Sequence, residues 1–130
     1  MIYSLLVLSS PSSGHSAASA VAFAEALLRS GHTLKRVFFM DEGVHAGSSH
    51  RVIPQDESDT MTVWRNIASS HNVDLVLCVS SAIKRGIIDS TEADRYDKPG
   101  STVHGEFAIS GLGQLVGAAV DSDRLITFGG

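Results

Sequence analysis

The feature that most constrains this chain is its opening: Ile2 to Leu8 is an almost unbroken aliphatic run. Such a run, without alternation, marks a strand covered by helices on both faces of a parallel sheet. Two more runs have the same character. Leu34 to Met40 is rich in aromatic and branched residues, and Val73 to Val79 reads Val-Asp-Leu-Val-Leu-Cys-Val. Arg124 to Phe128 reads as a final strand. Between the first two runs, Ala17, Ala20, Val21, Ala24, Leu27 and Leu28 recur three or four apart, the spacing of one helical face, and Gly31 stands where a C-terminal glycine stops such a helix. Met61, Trp64, Ile67 and Ala68 make a second apolar stripe behind a cap at Ser58 or Asp59. Strands separated by helical patterns predict an α/β fold, a parallel sheet of four to five strands with helices on both faces. The 130 residues suffice for a single domain spanning 1–130, and no linker or repeat interrupts them.

The connections are read less directly. Asp41 to about Glu57 contains Gly43, Gly47 and Pro54 and has no periodicity, which predicts a long surface loop. Ser80 and Ser81 are candidate N-caps for a short helix through Ala82 to Arg85, stopped by Gly86. Thr91 to Arg95 reads as a helical turn within a polar stretch from 89 to 106. Ser110 is a candidate cap for a last helix carrying Leu112, Leu115, Val116 and Ala119, with Gly111 and Gly113 allowing close packing at its start.

Charge and composition narrow the function. Ten Lys and Arg against fourteen Asp and Glu leave a net charge of −4, which speaks against a nucleic-acid face. No apolar run reaches the roughly 20 residues of a membrane-spanning helix, and the apolar start lacks a basic flank and a cleavage site, so a cytoplasmic location is expected. Mean hydropathy of +0.12 is apolar for a domain of this size, which predicts surface buried between subunits.

The chemistry centres on Cys78, the sole cysteine, near the carboxyl end of the third strand. Reactive groups gather at that end of open parallel sheets, and a helix starting directly afterwards stabilises a thiolate. Lys84 and Arg85 could add positive potential. The opposing reading is a small buried strand residue, the usual fate of an isolated cysteine. Other signals are weaker. Gly14-His15-Ser16 opens a helix but lacks the Lys of a P-loop and the glycine spacing of a dinucleotide site. Cys78 with Arg85 falls one residue out of step with a phosphatase loop. The six histidines show no paired ligand spacing, so no metal site is predicted, although His45 or His50 could tune the thiol if the 45–58 segment folds over it.

Several segments carry a resemblance: Gly14 to Ala20, Ser30 to Leu34, Val37 to Val44, Leu77-Cys78-Val79 leading into Ala82 to Asp89, Thr91-Glu92-Ala93, and Ser110 to Leu115 before Asp123-Arg124. In order and spacing they resemble the DsrE/TusD family of sulfur-relay proteins, its TusD branch above all. Ser80-Ser81 stands where relatives often have alanines. The resemblance implies a persulfide carried on Cys78, with no metal or organic cofactor. It implies a heterohexamer with TusB-like and TusC-like subunits, a TusA-like sulfur donor and a TusE-like acceptor, and an end use in 2-thiolation of a tRNA wobble uridine. A DsrE-like role in sulfur oxidation, rhodanese-like or phosphatase-like chemistry, and a silent structural subunit are the alternatives.

Overall fold

The computed structural model describes residues 1–129. In chain order it contains β1 (Ile2–Val7), α1 (Ser16–Arg29), β2 (Thr33–Phe39), a 3-10 helix (Asp41–Gly47), α2 (Thr60–His71), β3 (Asp74–Cys78), α3 (Val79–Lys84), α4 (Ser90–Arg95), β4 (Phe107–Ser110), α5 (Gly113–Asp121) and β5 (Arg124–Phe128). The strands form one sheet in the order β4-β3-β2-β1-β5, and every pairing is parallel. The expected α/β architecture is present, with five strands. No helix among the described residues is long and apolar enough to cross a membrane.

Strand alternation sorts side chains between two faces. Leu5 and Val7, Val37 and Phe39, and Leu75 and Leu77 join α1 and α2 in the main core, where Trp64 is 2% exposed and meets Phe39 edge-on at 5.6 Å. Phe38, Val76 and Cys78 point to the other face, with Leu6, Met40 and Leu115 of α5 packed on them. Ser4 is wholly buried and shares a hydrogen bond of 2.8 Å with Ser122, so its hydroxyl is satisfied. Asp59 is the cap of α2, accepting from the Thr62 N–H at 3.0 Å, and Gly31 follows α1 with φ of +83°.

Four connections differ from expectation. The segment after β2 is not all loop: its first seven residues form the 3-10 helix, with Gly43, Val44, Ala46 and Gly47 buried. A Cβ on Gly43 would overlap the Val7 carbonyl oxygen, and one on Gly47 would press on Leu77 and Phe107, so these glycines let the helix sit against the strand ends. Residues 107–110 form an edge strand that the polar surroundings concealed, and Ser110 ends it instead of capping α5, whose N-cap is Leu112. Gly111 and Gly113 face open space, so they do not serve close packing. The cap of α3 is Cys78 itself, because the strand passes into the helix with no intervening residue; Ser80 and Ser81 lie inside its first turn.

Candidate functional site

The chain after β3 turns to the α1–α2 side, where Ala82 of α3 joins the main core, while the chain after β4 turns to the opposite side, where α5 lies. Adjacent strands whose continuations diverge leave a crevice at their carboxyl ends. Cys78 pairs in register with Ser110 at these carboxyl ends. The sequence placed the thiol near the carboxyl end of the third strand, and Cys78 is the last residue of β3.

Cys78 has extended backbone angles, φ −63° and ψ 124°, and occupies the N-cap position of α3. Its side chain makes no capping hydrogen bond to the first-turn amides. Ser80 Oγ lies 3.4 Å from Sγ. Burial pushes the thiol pKa up, but the nearby hydroxyls and amides of Ser80 and Ser81 outweigh it and hold Cys78 below the usual cysteine value. The residue is 3% exposed, on a floor of Phe38, Val76, Leu6, Met40 and Leu115. The arrangement favours a thiolate that is shielded from bulk solvent.

A clasp that sequence spacing did not reveal fixes the first turn of α3. Arg85 donates to Glu42 through Nε at 2.9 Å and Nη2 at 2.8 Å, and to the Ser81 carbonyl at 3.1 Å. His45 Nε2 meets the other Glu42 oxygen at 3.2 Å. The Asp41 N–H, in a residue with φ of +51°, donates to Ser81 Oγ at 3.1 Å. Glu42 is held below the usual carboxylate range, chiefly by its hydrogen bond from Arg85. The 3-10 helix is thereby bound to the helix that carries the thiol. The only sequence signal for this was the pairing of an acidic and a basic residue on segments that flank successive strands.

The other candidates resolve separately. Lys84 is exposed and Arg85 is engaged with Glu42, so neither is the source of the lowered thiol pKa. His45 is turned to Glu42, and His50 lines a separate cleft of about 740 Å³ with Ile83, Ile88, Tyr96 and Lys98; neither bonds to Cys78. Ser16 donates its hydroxyl to the Gly129 carbonyl at 2.8 Å. Among the described residues no three His, Cys, Asp or Glu side chains gather as a metal site.

Comparison with known proteins identifies similar chains. The sulfurtransferase TusD homolog of Pseudomonas aeruginosa is 40% identical over 125 residues, covering 96% of this chain and 95% of its own. The sulfurtransferase TusD of Salmonella typhi is 40% identical over 128 residues, covering 98% and 100%. A relative from Allochromatium vinosum that carries the DsrE name is also 40% identical, over 129 residues and 99% of each chain. The crystal structure of the ychN protein from E. coli shares the fold, with a TM-score of 0.78 at 23% identity over 98% of this chain and 99% of that one. The profile of the DsrE/DsrF-like family matches residues 1–128, and the chain belongs to that family.

Proposed function

We propose that this chain is a sulfurtransferase subunit, acting as a single domain, that accepts sulfur as a persulfide on Cys78 and passes it to a partner protein. The observation that carries the reading is the placement of the only thiol at the carboxyl end of β3, beside the Ser80 hydroxyl, in a chain 40% identical to proteins named sulfurtransferase. The Cys78 thiolate attacks the outer sulfur of a donor persulfide, a new S–S bond forms on Sγ, and the donor leaves as a thiolate. The reverse chemistry with an acceptor thiolate unloads it. A TusA-like donor, a TusE-like acceptor and a cytoplasmic role in tRNA wobble-uridine 2-thiolation complete this reading.

An assembly with TusB-like and TusC-like subunits, a heterohexamer, fits one surface feature. Leu112, Val116 and Val120 are 54%, 62% and 76% exposed and recur every four residues along and just before α5. Such a stripe is costly in water and is normally covered. A second reading, service in oxidation of sulfur compounds, draws on the DsrE-named relative of equal identity. Rhodanese-like or phosphatase-like turnover is disfavoured because Arg85 is committed to Glu42 and the Ser81 carbonyl.

The test is intact mass after incubation with a protein persulfide donor. One added sulfur atom on the wild-type chain and none on Cys78→Ser supports the carrier role. No addition to the wild-type chain, alone or with its related subunits, would remove it.

A further inference from the structure

We propose that the Ser80 hydroxyl is a catalytic group of this site, donating its hydrogen to the Cys78 sulfur whenever that sulfur is anionic, and so serving both loading and unloading. The inference rests on the reading of Cys78 as the sulfur carrier. Ser80 Oγ stands 3.4 Å from Sγ, and this is its only hydrogen bond among the described residues. A thiolate has no hydrogen to give, so in that state the hydroxyl must be the donor. Ser80 is an exposed residue beside a cysteine that is almost covered. Ser81 also faces the sulfur, but it is buried and its oxygen accepts the Asp41 N–H, so its replacement would disturb the turn as well. Ser80 is the separable donor.

The surroundings leave this hydroxyl a clear share of the effect. The side chains packed on the sulfur, Leu6, Phe38, Met40, Val76 and Leu115, are all uncharged. On the same face, Arg36 and Asp74 pair with each other at 2.9 Å. Across α3, Glu42 is held by Arg85 and His45, Lys84 is exposed, and Asp41 meets Ser81 through its backbone.

In loading, Cys78–S⁻ attacks the outer sulfur of a persulfide R–S–SH, giving Cys78–S–SH and R–S⁻. In unloading, an acceptor R′–S⁻ attacks the outer sulfur, giving R′–S–SH and Cys78–S⁻. Each step breaks one S–S bond and forms another, with no net oxidation. The negative charge is on Sγ before loading and after unloading, and Ser80 stabilises it in both. Its effects on rate differ in sign. Donation raises the thiolate fraction at neutral pH but blunts nucleophilicity, the latter by only about 0.4–0.5 of the change in acidity on a logarithmic scale. It also makes Cys78 a better leaving group.

The experiment compares wild type, Ser80→Ala and Ser80→Thr, with glutathione persulfide as donor and iodoacetamide as an independent probe, each across pH. Ser80→Ala should raise the midpoint of both profiles, slow loading at pH 7 by about two- to fivefold, and load faster than wild type well above the midpoint, so that the curves cross. Unloading to a small thiol should slow at every pH, and Ser80→Thr should restore the wild-type profiles. Unchanged midpoints, or curves displaced by one constant factor, would overturn the proposal, because a merely structural serine acts that way. If iodoacetamide reports a raised midpoint but wild type takes up no sulfur, the carrier reading falls and the catalytic role falls with it, while the Ser80 bond stands.

Discussion

Cys78→Ser separates chemistry from packing. At 3% exposure, the new hydroxyl enters a cluster of Phe38, Val76, Leu6, Met40 and Leu115. Left unpaired, it would cost about 1–3 kcal/mol. It also takes the N-cap position of α3, where the cysteine makes no side-chain cap bond and a serine hydroxyl can accept the first-turn amides. A serine cap contributes about 0.5–2 kcal/mol relative to a non-capping residue. The two contributions oppose, so the net change in stability should stay within about 1 kcal/mol, roughly 3–5 °C in Tm for a chain of this length. Sulfur uptake, in contrast, should disappear, since the hydroxyl is not ionised at neutral pH. Thermal unfolding followed by circular dichroism gives the first quantity and intact mass after exposure to a persulfide gives the second. A loss above about 3 kcal/mol would show that the amides do not reach the oxygen. Uptake undiminished per folded molecule would refute the carrier role, because the chain has no second cysteine.

Glu42→Gln should remove a pH-dependent contribution to stability. Arg85 lowers the Glu42 pKa in the folded state, so the stabilisation is present above the ordinary glutamate value and is lost as pH falls through the lowered one; denaturation midpoints of the two proteins should therefore converge in acid, and an unchanging gap down to the acid limit would contradict the clasp. Gly43→Ala should destabilise by about 1–3 kcal/mol, since its Cβ would overlap the Val7 carbonyl and shift the 3-10 helix; urea unfolding checks this, and a neutral result would mean that the helix moves freely. Val116→Asp should leave the isolated fold intact but weaken association with TusB-like and TusC-like chains by about 2 kcal/mol or more, measured by size-exclusion chromatography and titration; unaltered binding would place the interface elsewhere.

Much of this fold was legible because its central strands are buried on both faces and therefore carry continuous apolar runs. β1, β2 and β3 announced themselves this way, and the stripe through Trp64 fixed α2. β4 did not, because an edge strand of four residues with Ala108 exposed needs no such run. The 3-10 helix was hidden for a related reason: it is buried by glycines that fit tightly against strand ends, and a fit of that kind leaves no periodic trace. Cys78 was placed by strand logic alone. The Arg85–Glu42 pair was out of reach, since its partners are 43 residues apart and meet only when α3 packs on the 3-10 helix. The N-cap position of Cys78 also escaped, because cysteine is not a residue that cap statistics single out.

The strand order has a consequence for biosynthesis. β1 lies between β2 and β5, so it keeps one edge unpaired during synthesis until β5 is made. The Asp123 N–H to Ile2 carbonyl bond and the Ile2 N–H to Asp123 carboxylate bond close that edge across 121 residues. Long-range closure of this kind is slow and leaves a partly made chain prone to pair with others. Leu115, which packs against the cluster holding the thiol, belongs to the same late segment. Until α5 and β5 are made, the cluster around Cys78 therefore lacks the Leu115 contact, and its packing is completed only when that helix and strand dock.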